Sequence, residues 1–150
     1  MIQRIQSLYL LLSAALGIVC LCRPLGRFLT EEGEVCGNLY NLWIALPQGG
    51  HLFSPWALFA ILVIATALTL LNILLFTRRA LQMRIASLCI ILLVGYYAYL
   101  ATFVYLNAGD GTFRPSLSAA FPLVCIVLDY LAFRSILKDE MLVRSLDRLR

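Results

Sequence analysis

An all-α membrane fold is the architecture this sequence predicts: four transmembrane helices in an up-down-up-down bundle. A long outer loop follows the first helix, and an amphipathic cytoplasmic helix closes the chain. Three observations lead there. The chain of 150 residues is 62% hydrophobic and 13% charged, against roughly 45–50% and 25% in soluble domains. Its charges cut it into four long apolar runs. Its basic residues gather at one set of run ends.

The runs come in order. Ile5 to Cys22, Leu52 to Thr77 and Ile85 to Gly109 hold no charge, and Pro115 to Phe133 holds only Asp129. A bilayer core of roughly 30 Å needs about 20 helical residues. Backbone polar groups in lipid must pair within their own segment, which makes each run a helix. The alternation of a barrel strand is absent. The expected spans are 5–22, 55–77, 85–108 and 116–134. Between them lie an outer loop 23–54, an inner turn 78–84 and an outer turn 109–115, with a tail 135–150.

The first run reads as a retained signal anchor. No A-x-A-like cleavage site follows it, and Gly17-Ile18-Val19 before Cys20 is a poor lipoprotein-type site. Ser13 and Gly17, four apart, permit close helix approach. In the outer loop, Asn38 to Leu46 suits a short strand or an interfacial strip, capping the bundle or meeting a partner. Trp43, His51, Phe53 and Trp56 mark the outer start of span two, and Pro55 suits a first helical turn. Asn107 to Gly111 reads as a tight turn. Pro115 and Ser116 then restart the helix.

Direction follows from the basic residues of short loops. Arg4, Arg78, Arg79, Arg84, Arg134, Lys138, Arg144, Arg148 and Arg150 share one side, nine against Arg23, Arg27 and Arg114 on the other. The first side is expected to be cytoplasmic, with both termini there.

Few residues suggest chemistry. Asp129 leads, because ionisable groups inside a span are costly and mark function by default. It lies five residues before Arg134, about 7.5 Å along a helix, so an ion pair with Arg134, Arg78, Arg79 or Arg84 competes with a proton or substrate site. Asn72 lies toward the same end, where it is expected to bond across helices and to meet Asp129. Tyr96, Tyr99 and Phe103 share one helical face. That stripe is expected mainly to pack, and otherwise to stack a flat lipophilic ligand such as a quinone.

The five Cys residues form no metal-binding spacing, and one His, His51, adds little. No metal or cofactor is expected. The apolar Cys behave as small hydrophobes, while Cys36 has the option of a disulfide to Cys22 or Cys20. A nucleophile with its base is not evident either, which argues against an enzyme.

The tail carries the clearest polar pattern. Leu137, Met141, Leu142, Leu146 and Leu149 recur on one helical face, and Glu140 with Arg144 makes a favourable i,i+4 pair. Together with Arg4 and Arg144, these apolar residues are the candidate partner contacts. The tail's destinations are anionic lipid, a second copy or another subunit of a membrane-protein complex. Nucleic acid is not expected, since Asp139, Glu140 and Asp147 offset the tail's basic charge.

Met1-Ile-Gln-Arg-Ile-Gln-Ser-Leu-Tyr-Leu-Leu11 at the start, and Lys138-Asp-Glu-Met-Leu-Val-Arg-Ser-Leu-Asp-Arg-Leu-Arg150 at the end, resemble an uncharacterised family of four-span inner-membrane proteins found mainly in Bacteroidetes. The resemblance implies four spans and a bacterial inner membrane. It implies no activity, since the family is a domain of unknown function. It suggests that Gln3, Arg4 and the tail carry the family's shared role. The expected function is therefore a non-enzymatic accessory or scaffold subunit. The alternative is a small transporter or lipophilic-ligand binder using Asp129, Asn72 and the Tyr stripe.

Overall fold

The computed structural model describes residues 3–75, 78–109 and 111–147, with the backbone alone at 3–4 and 143–147. Leu149, and the side chains of Arg4, Arg144 and Leu146, lie outside the described residues.

Four helices dominate: α1 (Gln3–Cys22), α2 (Trp56–Leu74), α3 (Arg79–Asn107) and α4 (Phe121–Asp147). A short 3-10 turn, Leu117–Ala120, leads into α4. All four helices are long and apolar enough to cross a membrane. Only about a third of each apolar stretch is buried inside the chain: 33%, 33%, 28% and 33% in order. Leu8, Leu12, Ile64, Ile91, Val94 and Val127 all point outward. Apolar surface on that scale needs lipid as its solvent, so the chain reads as a multi-pass membrane protein.

Each helix packs against two others, α1 and α3 both touching α2 and α4. Small residues bring α1 close to α2. A Cβ built on Gly17 would overlap the Thr66 methyl, so the Ser13–Gly17 pair does permit the expected close approach. Pro55 precedes α2 as its cap residue. Pro122 occupies the first turn of α4, where its missing N–H costs nothing.

The structure departs from an all-α fold at one end. Five strands form an antiparallel sheet there: β1 (Gly26–Leu29), β2 (Val35–Leu39), β3 (Ile44–Ala45), β4 (His51–Leu52) and β5 (Thr112–Pro115), in the order β4-β3-β2-β1-β5. The segment expected as a plain turn thus contributes β5, which pairs β1 across 26–29 and 112–115. The physical reason is backbone pairing. Pro24, Pro47 and Pro115, with glycines between, forbid helix there, and exposed N–H and C=O groups find each other across the two connections.

The sheet has one wet and one dry face. Gly26 and Phe28 are buried while Arg27 is exposed, the period-2 alternation of a half-buried strand. Phe28 meets Phe113 at 5.1 Å between ring centroids. Leu25 and Leu39 join Leu58, Leu62, Tyr96 and Leu100 in one apolar cluster, so the sheet's inner face lies on the helix ends. Gly109, at φ 53°, turns the chain from α3 toward β5, a conformation glycine adopts without Cβ strain.

At the opposite end, α3 begins at Arg79, so Gln82 and Arg84 are helical. Helix α4 runs unbroken past Arg134 to Asp147. All five cysteines are free thiols. The Cys36 disulfide to Cys22 or Cys20 is not formed: Cys36 sits in strand β2 and is exposed, while Cys20 is buried in the core.

Candidate functional site

Two fully buried polar side chains on different helices define the candidate site. Asp129 on α4 is 0% exposed. It lies five residues before Arg134, about 7.5 Å along the helix, in the charge-poor part of α4.

The ion pair expected for it is not made. Neither carboxylate oxygen has a hydrogen-bond partner among the described residues. Arg134 is exposed, and five helical steps turn it about 140° from Asp129 around the axis. The groups beside Asp129 are Ser13 on α1, Cys89 on α3 and Cys125 on its own helix. Ser13 stands next to the carboxyl without reaching hydrogen-bond geometry. Cys125 donates its thiol hydrogen to the Ser13 carbonyl at 3.3 Å.

Asn72 on α2 is also 0% exposed. Its amide nitrogen and oxygen have no hydrogen-bond partner among the described residues. The cross-helix bond expected of its side chain is made by Gln82 instead, whose Nε2 donates to the Asn72 carbonyl at 3.2 Å. Asp129 and Asn72 do not bond to each other. Thr69, one turn before Asn72, reaches the Cys89 sulfur at 3.7 Å, and the Asp129 carboxyl lies within electrostatic reach of the same thiol. Thr69 also donates to the Ala65 carbonyl at 3.0 Å.

A small crevice opens among all four helices, lined by neither Asp129 nor Asn72. Ser13, Thr66, Thr69 and Cys125 line it with Gly17 and Leu62, and its free volume is about 10 Å³. That is room for one water-sized particle. Among the described residues, no three His, Cys, Asp or Glu side chains come together to hold a metal ion.

The aromatic stripe resolves into structure. The Tyr96 hydroxyl donates to Asn41 Oδ1 at 2.7 Å, and Asn41 Nδ2 donates to the Cys20 carbonyl at 2.8 Å. This buried relay ties α3 to the sheet connection and to the end of α1. Tyr99 stacks on Phe103 with centroids 6.1 Å apart. Tyr97 donates to the Ala119 carbonyl at 2.6 Å and accepts the Leu123 N–H at 2.9 Å, capping the start of α4.

At the other end of the helices, a polar layer joins α1 and α3 to the tail part of α4. Gln6 Nε2 donates to Asp139 Oδ2 at 2.5 Å, and an Arg79 guanidinium N–H donates to the Asp139 carbonyl at 3.4 Å. Ile136 is buried beside them. The face of α4 that packs therefore carries Ile136 and Asp139. The apolar face picked out by spacing turns away: Leu137 is half-buried, and Met141 and Leu142 are 61% and 57% exposed. Met83, Leu137, Glu140 and Met141 line an open groove of about 250 Å³ there.

Gln6, Gln82, Thr69 and Asn41 escaped the sequence reading. Gln6 and Thr69 were legible as polar residues inside charge-free runs, but their partners lie 133 and 20 positions away. Spacing along one helix does not encode such pairs.

No curated protein matches the chain. A family model, the domain of unknown function DUF4293, matches residues 2–149. With nearly its whole length covered, the chain belongs to the DUF4293 family.

Proposed function

We propose that this is a non-enzymatic accessory or scaffold subunit of a bacterial inner membrane. On this reading the helices cross it up-down-up-down, and both termini are cytoplasmic. Nine basic residues against three favour that direction. The observation that carries the docking role is the exposed apolar strip of α4. Met141 and Leu142 remain exposed while Ile136 and Asp139, on the same helix, are packed. A strip beyond the last arginine of the span, bordered by Met83 and a groove, suits a helix of a partner subunit or of a second copy. Methionines at its edge adapt to such a partner.

The test uses point changes, because removing the tail would also remove Asp139 from Gln6. With Met141→Lys and Leu142→Lys together, the protein should fold and insert as before. It should lose complexes retained by the unaltered chain in mild detergent. Unchanged complexes, measured by native mass and by cross-linking from position 141, would sink the docking role.

A second reading, a small transporter or lipophilic-ligand binder, is favoured by Asp129 and Asn72, both buried without partners. The stripe of Tyr96 and Tyr99 adds little to it, since those side chains are engaged within the chain. Loss of a measured flux in Asp129→Asn would support it, and full flux in that variant would remove its motive.

A further inference from the structure

We propose that Arg134 and Lys138 of α4, with Arg84 of α3 at the same depth, hold the phosphate of an anionic phospholipid of the phosphatidylglycerol kind. Helix α4 runs without a break from Phe121 to Asp147, so its faces can be followed from the apolar stretch into the charged one. Leu123, Val127 and Tyr130 are exposed, and so are Arg134 and Lys138. At 100° per residue, all of these lie within about 40° of Arg134 around the axis. The face that meets acyl chains is therefore the face that carries the two cations. Tyr130, one turn before Arg134, suits the boundary between chains and headgroups.

Helix α3 repeats the arrangement in the opposite direction. Arg84 is exposed, and Leu88 and Ile91 extend its face outward. Met83 lines one groove with Leu137 and Met141, which sets this end of α3 level with Lys138. Arg79 is a different case, since its guanidinium is engaged with the Asp139 carbonyl.

The charges select the ligand. Arg134 and Lys138 are an i,i+4 pair, about 5–6 Å apart at Cβ, close enough for both to reach one phosphate. Arg offers a planar fork to phosphate oxygens and Lys a compact charge. The carboxylates of α4 with described side chains do not compete. Asp129 and Asp139 are buried, and Glu140 lies about 160° around the helix from Lys138. Two cations without a facing acid favour a lipid of net negative charge over a zwitterionic one, whose choline offsets its phosphate.

The inference needs only that α4 crosses a bilayer; it does not rest on the docking role. The full chain is reconstituted in vesicles of equal parts phosphatidylglycerol and phosphatidylcholine, taken up in mild detergent, and its retained lipids are counted by native mass spectrometry. Phosphatidylglycerol should be retained over phosphatidylcholine by at least about fivefold, the worth of one cation near an anionic surface. Arg134→Gln with Lys138→Gln should remove most of that preference. Arg27→Gln with Arg114→Gln removes as much charge at the sheet end and should leave it unchanged. Equal retention of the two lipids by the unaltered chain would overturn the proposal. So would an undiminished preference in the α4 variant, or an equal loss in the sheet variant, which would reduce the effect to net charge. Free glycerol phosphate should not displace the lipid; displacement would mark a site for a soluble phosphate and overturn the lipid assignment. Should the double α4 variant fail to insert, Lys138→Gln alone decides by the same comparison.

Discussion

Arg27 and Arg114 stand directly opposite each other across the β1–β5 pair, both exposed. The same cross-sheet row continues through Asn38 and Ala45 to His51, with no carboxylate in it. Like charges placed opposite each other destabilise a strand pair. Arg114→Glu should therefore stabilise the fold by about 0.2–1 kcal/mol. Thermal melting in detergent checks this, and the gain should shrink as salt is raised. A loss of stability at low salt would contradict it.

Gly17 sets the distance between α1 and α2. A methyl at this position would overlap the Thr66 methyl, so Gly17→Ala should cost about 1–3 kcal/mol, the usual penalty of overpacking. Thr66→Ser removes that methyl and should restore most of the loss in the double variant. A double-mutant cycle with no coupling between the two sites would show that the helices do not meet there.

Tyr96 and Asn41 test whether the aromatic face is structural. Tyr96→Phe keeps the ring and removes the donor to Asn41 Oδ1, a fully buried acceptor. A buried polar group left without its partner costs about 1–3 kcal/mol. Equilibrium unfolding in detergent should show that loss. A neutral result would return the ring to the list of ligand-stacking surfaces.

Gln6 and Asp139 join the first turns of α1 to the far part of α4. Asp139→Ala leaves a buried amide unpaired and should cost a similar amount, about 1–3 kcal/mol. Hydrogen exchange is the sharper measurement. Protection should fall first near residues 136–142 and around Gln6, with the sheet end unaffected. Uniform loss across the chain would argue against a local tie.

Much of the architecture was legible. Four helices followed from four apolar runs, and Gly17 was recognisable as a close-approach residue by its spacing from Ser13. Asp129 and Asn72 were legible as polar intruders. Their isolation was not: Arg134, the nearest basic residue in the chain, is exposed and turned about 140° away around α4.

Apolar composition alone determined that lipid is the solvent and that each long run must be a helix, because unpaired backbone is intolerable in hydrocarbon. The pairings came only with the tertiary structure: β5 beside β1, Gln6 on Asp139, Tyr96 on Asn41, and two polar side chains enclosed by four helices. Each joins residues far apart in the chain. A one-dimensional pattern of greasy and polar residues carries periodicity within an element, and it holds no record of which elements meet or in what register.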